Sequence, residues 1–433
     1  MSRSFLAGLY AQPPDARNFH FLEFWKSAGY RYLEYCDIGF HHHVDGLPAY
    51  HAELGESIHI AKSRGFQTWV LILAGMRQWR GPGPSGNPGT FSALDKTLLA
   101  ERLEHIRESV RRLSHADGFV FFAGDPGGDP EGRSTVADCI AFARRVEDIV
   151  HADAPRARFA VNLWAIAEWK GFPSPFSVDF WRGQTTLARQ VVDEPGLLGP
   201  RCGVSFPMDD HYRSLALAAH EEAGTQPVPY PDPETVARLK ARKTSPILGW
   251  PYFLVDEIDD GFITPNNVAS GGQTQFESRY LRAVVDAGRR LGLDGLVANA
   301  TYVQAEAANI WTFARMCHDP RLAPETALDQ WAARLATPST RAALSRVLRF
   351  IENHSNWEHS LPPRHRLPAF DTGSVRTADD ALAEWATVRP SEAAGFPLPE
   401  PPSSALPRLR RRLEWIREGR IGGVAPLVRS NGR

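Results

Sequence analysis

Eight short apolar runs alternate with helical segments over roughly the first three hundred residues, and that rhythm decides what the chain can fold into. The runs are Phe5 to Tyr10, Tyr30 to Cys36, Gln67 to Leu73, Gly118 to Phe122, Arg158 to Leu163, Arg201 to Phe206, Ile247 to Leu254 and Gly295 to Asn299. Gly118 to Phe122 alternates poorly and is mostly large and apolar, which suits a strand buried on both faces, as in a parallel sheet covered by helices. Segments with helical spacing separate the eight runs, among them Asn18 to Ala28, Tyr50 to Ser63, Leu99 to His115, Ser134 to Val150, Ser177 to Val192 and Gln275 to Leu291. Helical runs at His211 to Glu221 and Pro233 to Arg242 follow the sixth strand, and Ala305 to Cys317 follows the eighth. The expected fold is therefore α/β, a (β/α)8 TIM barrel over residues 1–318. A doubly wound open sheet fits less well, because no glycine-rich phosphate loop follows the first strand.

Residues 319–433 read differently. Pro324 to Ala336, Ser339 to Asn353, Thr377 to Val388 and Ser404 to Glu418 are helical, separated by proline-rich joints at Leu361 to Pro368 and Pro397 to Pro402. They are expected to form a helical extension packed on the side of the barrel. With 49 Lys and Arg against 50 Asp and Glu in 433 residues, no excess charge points to nucleic acid or an anionic membrane. The four cysteines (Cys36, Cys139, Cys202, Cys317) have neither metal nor redox spacing and read as buried free thiols. No apolar stretch is long enough to span a membrane. Ser4 to Tyr10 is too short, and too soon followed by Pro13 and Pro14, for a signal peptide, so a cytoplasmic location is expected.

In such a barrel the loops after the strands converge on one mouth, where the chemistry sits. Gly118 to Arg133 (GFVFFAGDPGGDPEGR) illustrates the pattern: a buried strand runs into a Gly/Pro loop bearing Asp125 and Asp129. The second strand leads to Asp37, His41, His43 and Asp45, and the third to Arg77, Gln78 and Trp79. The fifth leads to Asn162, Trp164, Glu168 and Trp169, and the sixth to Asp209, Asp210 and His211. The seventh supplies Trp250, Tyr252, Asp256 and Glu257, and the eighth Asn299, Tyr302, Gln304 and Glu306. Carboxyls, aromatics and amides thus recur at nearly every strand end.

Sugar chemistry needs that mixture. Cleaving a glycosidic bond takes one carboxyl to protonate the leaving oxygen and another to activate water or attack carbon. Aromatic faces and amides bind the ring. The plainer reading of Asp209 or Asp210 is a helix cap, and Glu306 at a helix start is favoured electrostatically in any case. The run His41-His42-His43 with Asp45 invites a metal. Adjacent histidines point in different directions, however, and no second His or Cys motif joins them, so neither metal nor cofactor is expected.

Two stretches resemble the α-glucuronidase branch of the barrel glycosidases. Gly124-Asp-Pro-Gly-Gly, with Gly132-Arg133 and then Ala137-Asp138, is similar to the family's Gly-Gln-Pro-Gly…Gly-Arg…Ala-Asp segment after the fourth strand. Asn299 to Ala336, with Phe313-Ala-Arg315 and Asp319-Pro320, is similar to its barrel exit. The likeness covers about a sixth of the chain and implies a barrel with a helical extension. It also implies a base from the ends of strands six and seven, which here means Asp209 or Asp210 and Asp256 or Glu257. The family's acid, a Glu just before the Gly-Gln-Pro-Gly, is matched here by Ala123, and a carboxyl appears two places on at Asp125.

The function these features lead us to expect is glycoside hydrolysis on a carbohydrate substrate. Asp125 is the candidate acid, with Glu168 in reserve, and Asp209, Asp210, Asp256 and Glu257 are candidates for base or nucleophile. Asp37, His41, His43, Arg77, Trp79, Asn162, Trp164, His211, Trp250, Tyr252, Asn299, Tyr302 and Gln304 are candidates for binding substrate. Two rival readings are a sugar lyase or isomerase holding a metal on Asp37 and the histidines, and a carbohydrate-binding barrel without catalysis.

Overall fold

The computed structural model describes residues 5–11, 18–81, 88–124, 129–164, 178–194, 196–199, 201–208, 224, 232–242, 244, 246–251, 276–300, 303–354, 366–392 and 397–419. In chain order these form β1 (Leu6–Ala11), α1 (Phe19–Ala28), β2 (Tyr32–Asp37), α2 (Leu47–Ser63), β3 (Gln67–Leu73), α3 (Lys96–Arg112), β4 (Gly118–Phe122) and α4 (Val136–Asp153). Then come β5 (Arg158–Asn162), α5 (Val178–Asp193), β6 (Gly203–Pro207), α6 (Pro233–Ala241), β7 (Ile247–Trp250), α7 (Ser278–Leu291), β8 (Gly295–Ala300) and α8 (Ala307–His318). The eight strands are parallel, and β8 pairs with β1 to close the ring. The chain is a (β/α)8 barrel.

The register shows how the barrel is filled. Tyr10 pairs with Glu34, Glu34 with Trp69 and Trp69 with Gly118 on successive strands, and Asn299 pairs with Tyr10 across the closure. Residues so paired share a face, and in this chain it is the inner one. Glycines make room there for large rings. A Cβ on Gly118 would sit 2.5 Å from the Trp69 indole, and one on Gly8 would sit 2.8 Å from Tyr32. Alternate residues such as Val70, Phe119, Phe121 and Val161 are buried outward against the helices.

Helix starts are fixed by short polar side chains. Asp95 accepts from the Thr97 and Leu98 amides to open α3, and Thr135 with Asp138 forms a capping box on α4. Among the described residues no helix is long and apolar enough to cross a membrane.

Beyond α8 the described chain continues as α9 (Pro324–Leu335), α10 (Arg341–Glu352), α11 (Ala378–Thr387) and α12 (Pro402–Arg417). One isolated bridge, Ala336 to Pro390, is the only strand-like pairing among its described residues. Trp331 of α9 meets Phe24 of α1 and Trp311 of α8, with ring centroids 6.4 and 6.0 Å apart. A polar clasp completes the seam. Glu352, sealed from solvent at the end of α10, accepts from the Ser278 and Arg279 amides at 3.1 and 3.0 Å. Those are two of the otherwise unpaired first amides of α7, so a side chain of the extension caps a barrel helix. Arg279 returns the contact through Nε to Glu352 Oε1 at 3.1 Å and through Nη1 to the Pro368 carbonyl at 2.8 Å.

Candidate active site

The strand C-terminal ends carry two kinds of polar side chain, those spent on shaping loops and those that face the barrel axis. Asp37 belongs to the first kind. It is the last residue of β2, one step out of phase with the inward-facing Cys36, so it points toward the helices. Its Oδ1 accepts from the Gly39 amide at 2.9 Å and lies 3.4 Å from His51 Nε2 of α2. Burial alone would raise its carboxyl, but His51, the Arg102 guanidinium and the Gly39 amide outweigh it and hold the group well below the usual carboxylate range. Arg102 in turn donates to the Leu73 and Ala74 carbonyls. Ser109 Oγ lies 3.1 Å from the same His51 Nε2. Aspartate, histidine and serine therefore meet in a buried network, but both partners share one ring nitrogen. A nucleophile–base–orienter relay needs both nitrogens. The network braces the mouth from outside, and substrate binding by Asp37 is not the role this position suggests.

The other loops after β2 and β4 are organised in the same way. His43 Nδ1 accepts from the Asp45 amide at 3.3 Å and lies 3.2 Å from the Asp45 carboxylate. His41 packs on Phe40, while His42 stacks on Tyr50 with centroids 4.5 Å apart. The three rings diverge. Among the described residues no three His, Cys, Asp or Glu gather in a way that would hold a metal. Asp129 accepts from Ser92 Oγ at 2.6 Å, from the Ser134 amide at 2.6 Å and from the Glu131 amide at 2.8 Å. Against the upward push of burial, these bonds bring its carboxyl down to about 2. It shapes the start of α4, with most of its hydrogen bonds spent on that turn.

After β3, the Arg77 side chain is exposed and Trp79 is half-buried. Gln78 Nε2 donates to the Gly39 and His42 carbonyls, tying this loop to the one after β2. At β5, Asn162 faces inward but is already engaged. Its Oδ1 accepts from the Trp164 amide at 2.8 Å, and its Nδ2 reaches Ser205 Oγ at 3.5 Å. Trp164 is buried. Gln304 lines a cavity between barrel and extension, with Phe276, Trp331 and Arg408, and so faces away from the expected site.

The second kind forms the floor of the mouth. Trp250 ends β7, and its indole meets Tyr10 of β1 edge-on with centroids 6.1 Å apart and Phe122 of β4 at 5.7 Å. Rings from three well-separated strands thus meet on the axis. Asn299 of β8, register partner of Tyr10, adds a buried inward amide whose Oδ1 has no hydrogen-bond partner among the described residues. Tyr10 and Phe122 were missed in the sequence because nothing in a short apolar run says which alternate residues reach the axis.

Glu34 was missed as well. It is an inward carboxyl two residues below Cys36, 1% exposed, accepting from Tyr32 Oη at 2.9 Å with its other oxygen unpartnered. A lone carboxylate inside an otherwise apolar strand was the available signal. Burial lifts its carboxyl to about 7, against a smaller lowering by Tyr32. That value suits a general acid, but reach comes before pKa. The strand tilt of an eight-stranded barrel sets the Tyr10–Trp250 layer between Glu34 and the mouth.

The raised value has a consequence for stability. Folding favours the protonated form, so this group's contribution is full below pH 4.5 and is lost as pH rises through about 7. The loss should be on the order of 3 kcal/mol. Urea unfolding at pH 4.5 and pH 8 should show a steeper decline for the wild type than for Glu34→Gln, which mimics the protonated acid. Equal declines would mean that Glu34 does not hold this proton.

Asp125, Glu168, Asp209, Asp210, His211, Tyr252, Asp256, Glu257 and Tyr302 lie outside the described residues, as does Trp169.

No protein-family model matches the chain, and no curated protein matches it in sequence. Similar solved structures are glycoside hydrolases. An O-GlcNAc hydrolase mutant from Thermobaculum terrenum is 12% identical with a TM-score of 0.48, over 81% of this chain and 66% of that one. An exo-β-1,4-mannosidase from Opitutaceae bacterium strain TAV5 is 14% identical with a TM-score of 0.40, over 74% of this chain and 60% of that one. An enzyme of glycoside hydrolase family 138 that targets pectin rhamnogalacturonan II is 10% identical with a TM-score of 0.48, over 96% of this chain and 57% of that one. The chain therefore spans less than two thirds of the length of each of these three. The barrel assignment rests on the strand order given above, and no reaction is carried over from these proteins.

Proposed function

We propose that the chain hydrolyses glycosides at the C-terminal mouth of its barrel. The observation that carries this reading is the floor of Tyr10, Phe122 and Trp250 with the inward amide of Asn299 beside it. A sugar ring presents an apolar face and a rim of hydroxyls, and an aromatic floor edged by an amide complements both. Phe122 ends β4 and Trp250 ends β7, so their contact spans the axis between two nearly opposite strands. The loops leaving those strands carry Asp125 on one side and Asp256 and Glu257 on the other.

In this mechanism Asp125 protonates the leaving oxygen, and Glu257 or Asp256, or Asp209 or Asp210 from the loop after β6, activates water on the opposite face of the ring. An acid at neutral pH needs a raised pKa, while its partner must stay ionised. Opposed strands favour the wider carboxyl separation, roughly 6.5–9.5 Å, that leaves room for the water, and so favour inversion at the anomeric carbon. Ala123, at the place of the family's Glu, favours the rival of a binding barrel without catalysis.

A panel of 4-nitrophenyl glycosides assayed with and without EDTA separates the readings. The proposal expects at least one substrate to turn over, at a rate EDTA leaves unchanged. Loss of activity in EDTA, with stoichiometric zinc or iron by elemental analysis, would favour the metal-dependent lyase or isomerase. Sugar binding with no turnover of any glycoside would favour the binding barrel.

A further inference from the structure

Asn162 and Asn299 both face the barrel interior near their strand ends, yet they differ in one respect. Both amide atoms of Asn162 have partners, Trp164 and Ser205. Asn299 is 5% exposed, and among the described residues its Oδ1 has no hydrogen-bond donor. Leaving a buried acceptor unpaired costs stability, and folded proteins retain few such groups without a use for them. The unpaired oxygen is on the register partner of Tyr10, whose ring meets Trp250, so it lies at the edge of the aromatic floor.

We infer that Asn299 Oδ1 accepts a hydrogen bond from a hydroxyl of a neutral sugar ring lying over the Tyr10–Trp250 floor, and that Asn299 is a specificity-determining residue. The inference rests on the glycosidase reading for the nature of the ligand and adds its charge class. An amide oxygen can be satisfied only by a donor. A hydroxyl is one, whereas an ionised carboxylate has acceptors alone and would leave two facing oxygens in repulsion. The group that meets Oδ1 is therefore a hydroxyl, and a uronate carboxylate turned toward that oxygen is disfavoured. The charge class thus separates this chain from the α-glucuronidases that two of its stretches resemble.

The test is a binding measurement, so that it does not depend on turnover. Methyl pyranosides of glucose, galactose and mannose, their monodeoxy analogues and the corresponding methyl uronides are titrated against the full-length wild type and Asn299→Leu, with affinities read by NMR. The wild type should bind at least one neutral pyranoside more tightly than its uronide. Asn299→Leu should weaken that ligand roughly 10–100-fold, the usual worth of one hydrogen bond in a buried site. For one deoxy position, wild type and variant should bind equally, because the partner hydroxyl is already gone. The thermal midpoint of Asn299→Leu should be no lower than that of the wild type, since the free protein loses an unsatisfied acceptor. Should the bulk of leucine rather than loss of the amide prevent folding, Asn299→Ala, which likewise carries no side-chain acceptor, supplies the same comparison. Tighter binding of a uronide, equal affinity in wild type and variant, a large drop in the variant's midpoint, or no binding of any of these sugars would overturn the inference. Neutral-sugar binding that depends on Asn299 without any glycoside turnover would sustain the inference and overturn the hydrolase reading.

Discussion

Asp125→Asn is expected to slow turnover roughly 10²–10⁴-fold on glycosides with poor leaving groups, the scale of losing a general acid. The position is set by what precedes it. Phe122 and Ala123 are buried at the end of β4, and Gly124 turns the chain with a φ of 152°, a conformation that glycine takes readily and an L-residue resists. Asp125 follows that turn directly in the sequence, and the acid role proposed for it requires a partly desolvated setting that keeps the carboxyl protonated. Asparagine preserves size and hydrogen bonding but has no proton to give. The loss should shrink on 4-nitrophenyl substrates, whose phenolate leaves without protonation. If Asp125→Asn is equally slow on both kinds of substrate, or retains full activity, then Asp125 is not the acid and Glu168 becomes the candidate.

Glu352→Ala is expected to destabilise the protein by about 3–5 kcal/mol, the range for removing one partner of a buried pair. The carboxylate has no exposed surface, and burial raises its pKa even with Arg279 and Ser278 opposing that rise. Alanine would leave Arg279 buried without its carboxylate, and the Ser278 and Arg279 amides uncapped. The double variant Glu352→Gln with Arg279→Met should lose less than the sum of the two single changes, because one interaction is removed twice in that sum. Urea unfolding reads both. A cost below about 1 kcal/mol, the scale of an exposed ion pair, would mean that the extension is only loosely docked and that the barrel is indifferent to it. A large cost ties residues 319–433 to the stability of the barrel itself.

The barrel was legible because each of its signals is local. Gln67 to Leu73 and Gly118 to Phe122 are strands at the bounds their apolar runs suggest. Helix starts were less legible. The third helix opens at Lys96, three residues before its first apolar stripe, because Asp95 caps it. The second opens at Leu47, where Pro48 fits the first turn.

The site was legible in kind but not in direction. Asp37 and Cys36 are neighbours, and the period of two along a strand sends one to the helices and the other to the axis. That phase cannot be read from a short apolar run, so Asp37 stands among the expected substrate ligands while Tyr10 and Phe122 do not. Gln304 turns toward the extension because α8 begins only three residues later and carries it to the seam with α9 and α12. Asn162 is expected from the sequence to bind substrate, but its partner Ser205 comes from another strand, and such pairings appear only once register is known.

Turnover of a cleaved glycoside in H₂¹⁸O, with products read by mass spectrometry, tests the central claim most directly. Hydrolysis at the mouth by an activated water predicts one ¹⁸O at the anomeric hydroxyl of the released sugar and none in the leaving alcohol. Label in the alcohol, an unlabelled unsaturated sugar as from a lyase, or no cleavage of any glycoside that binds would contradict it.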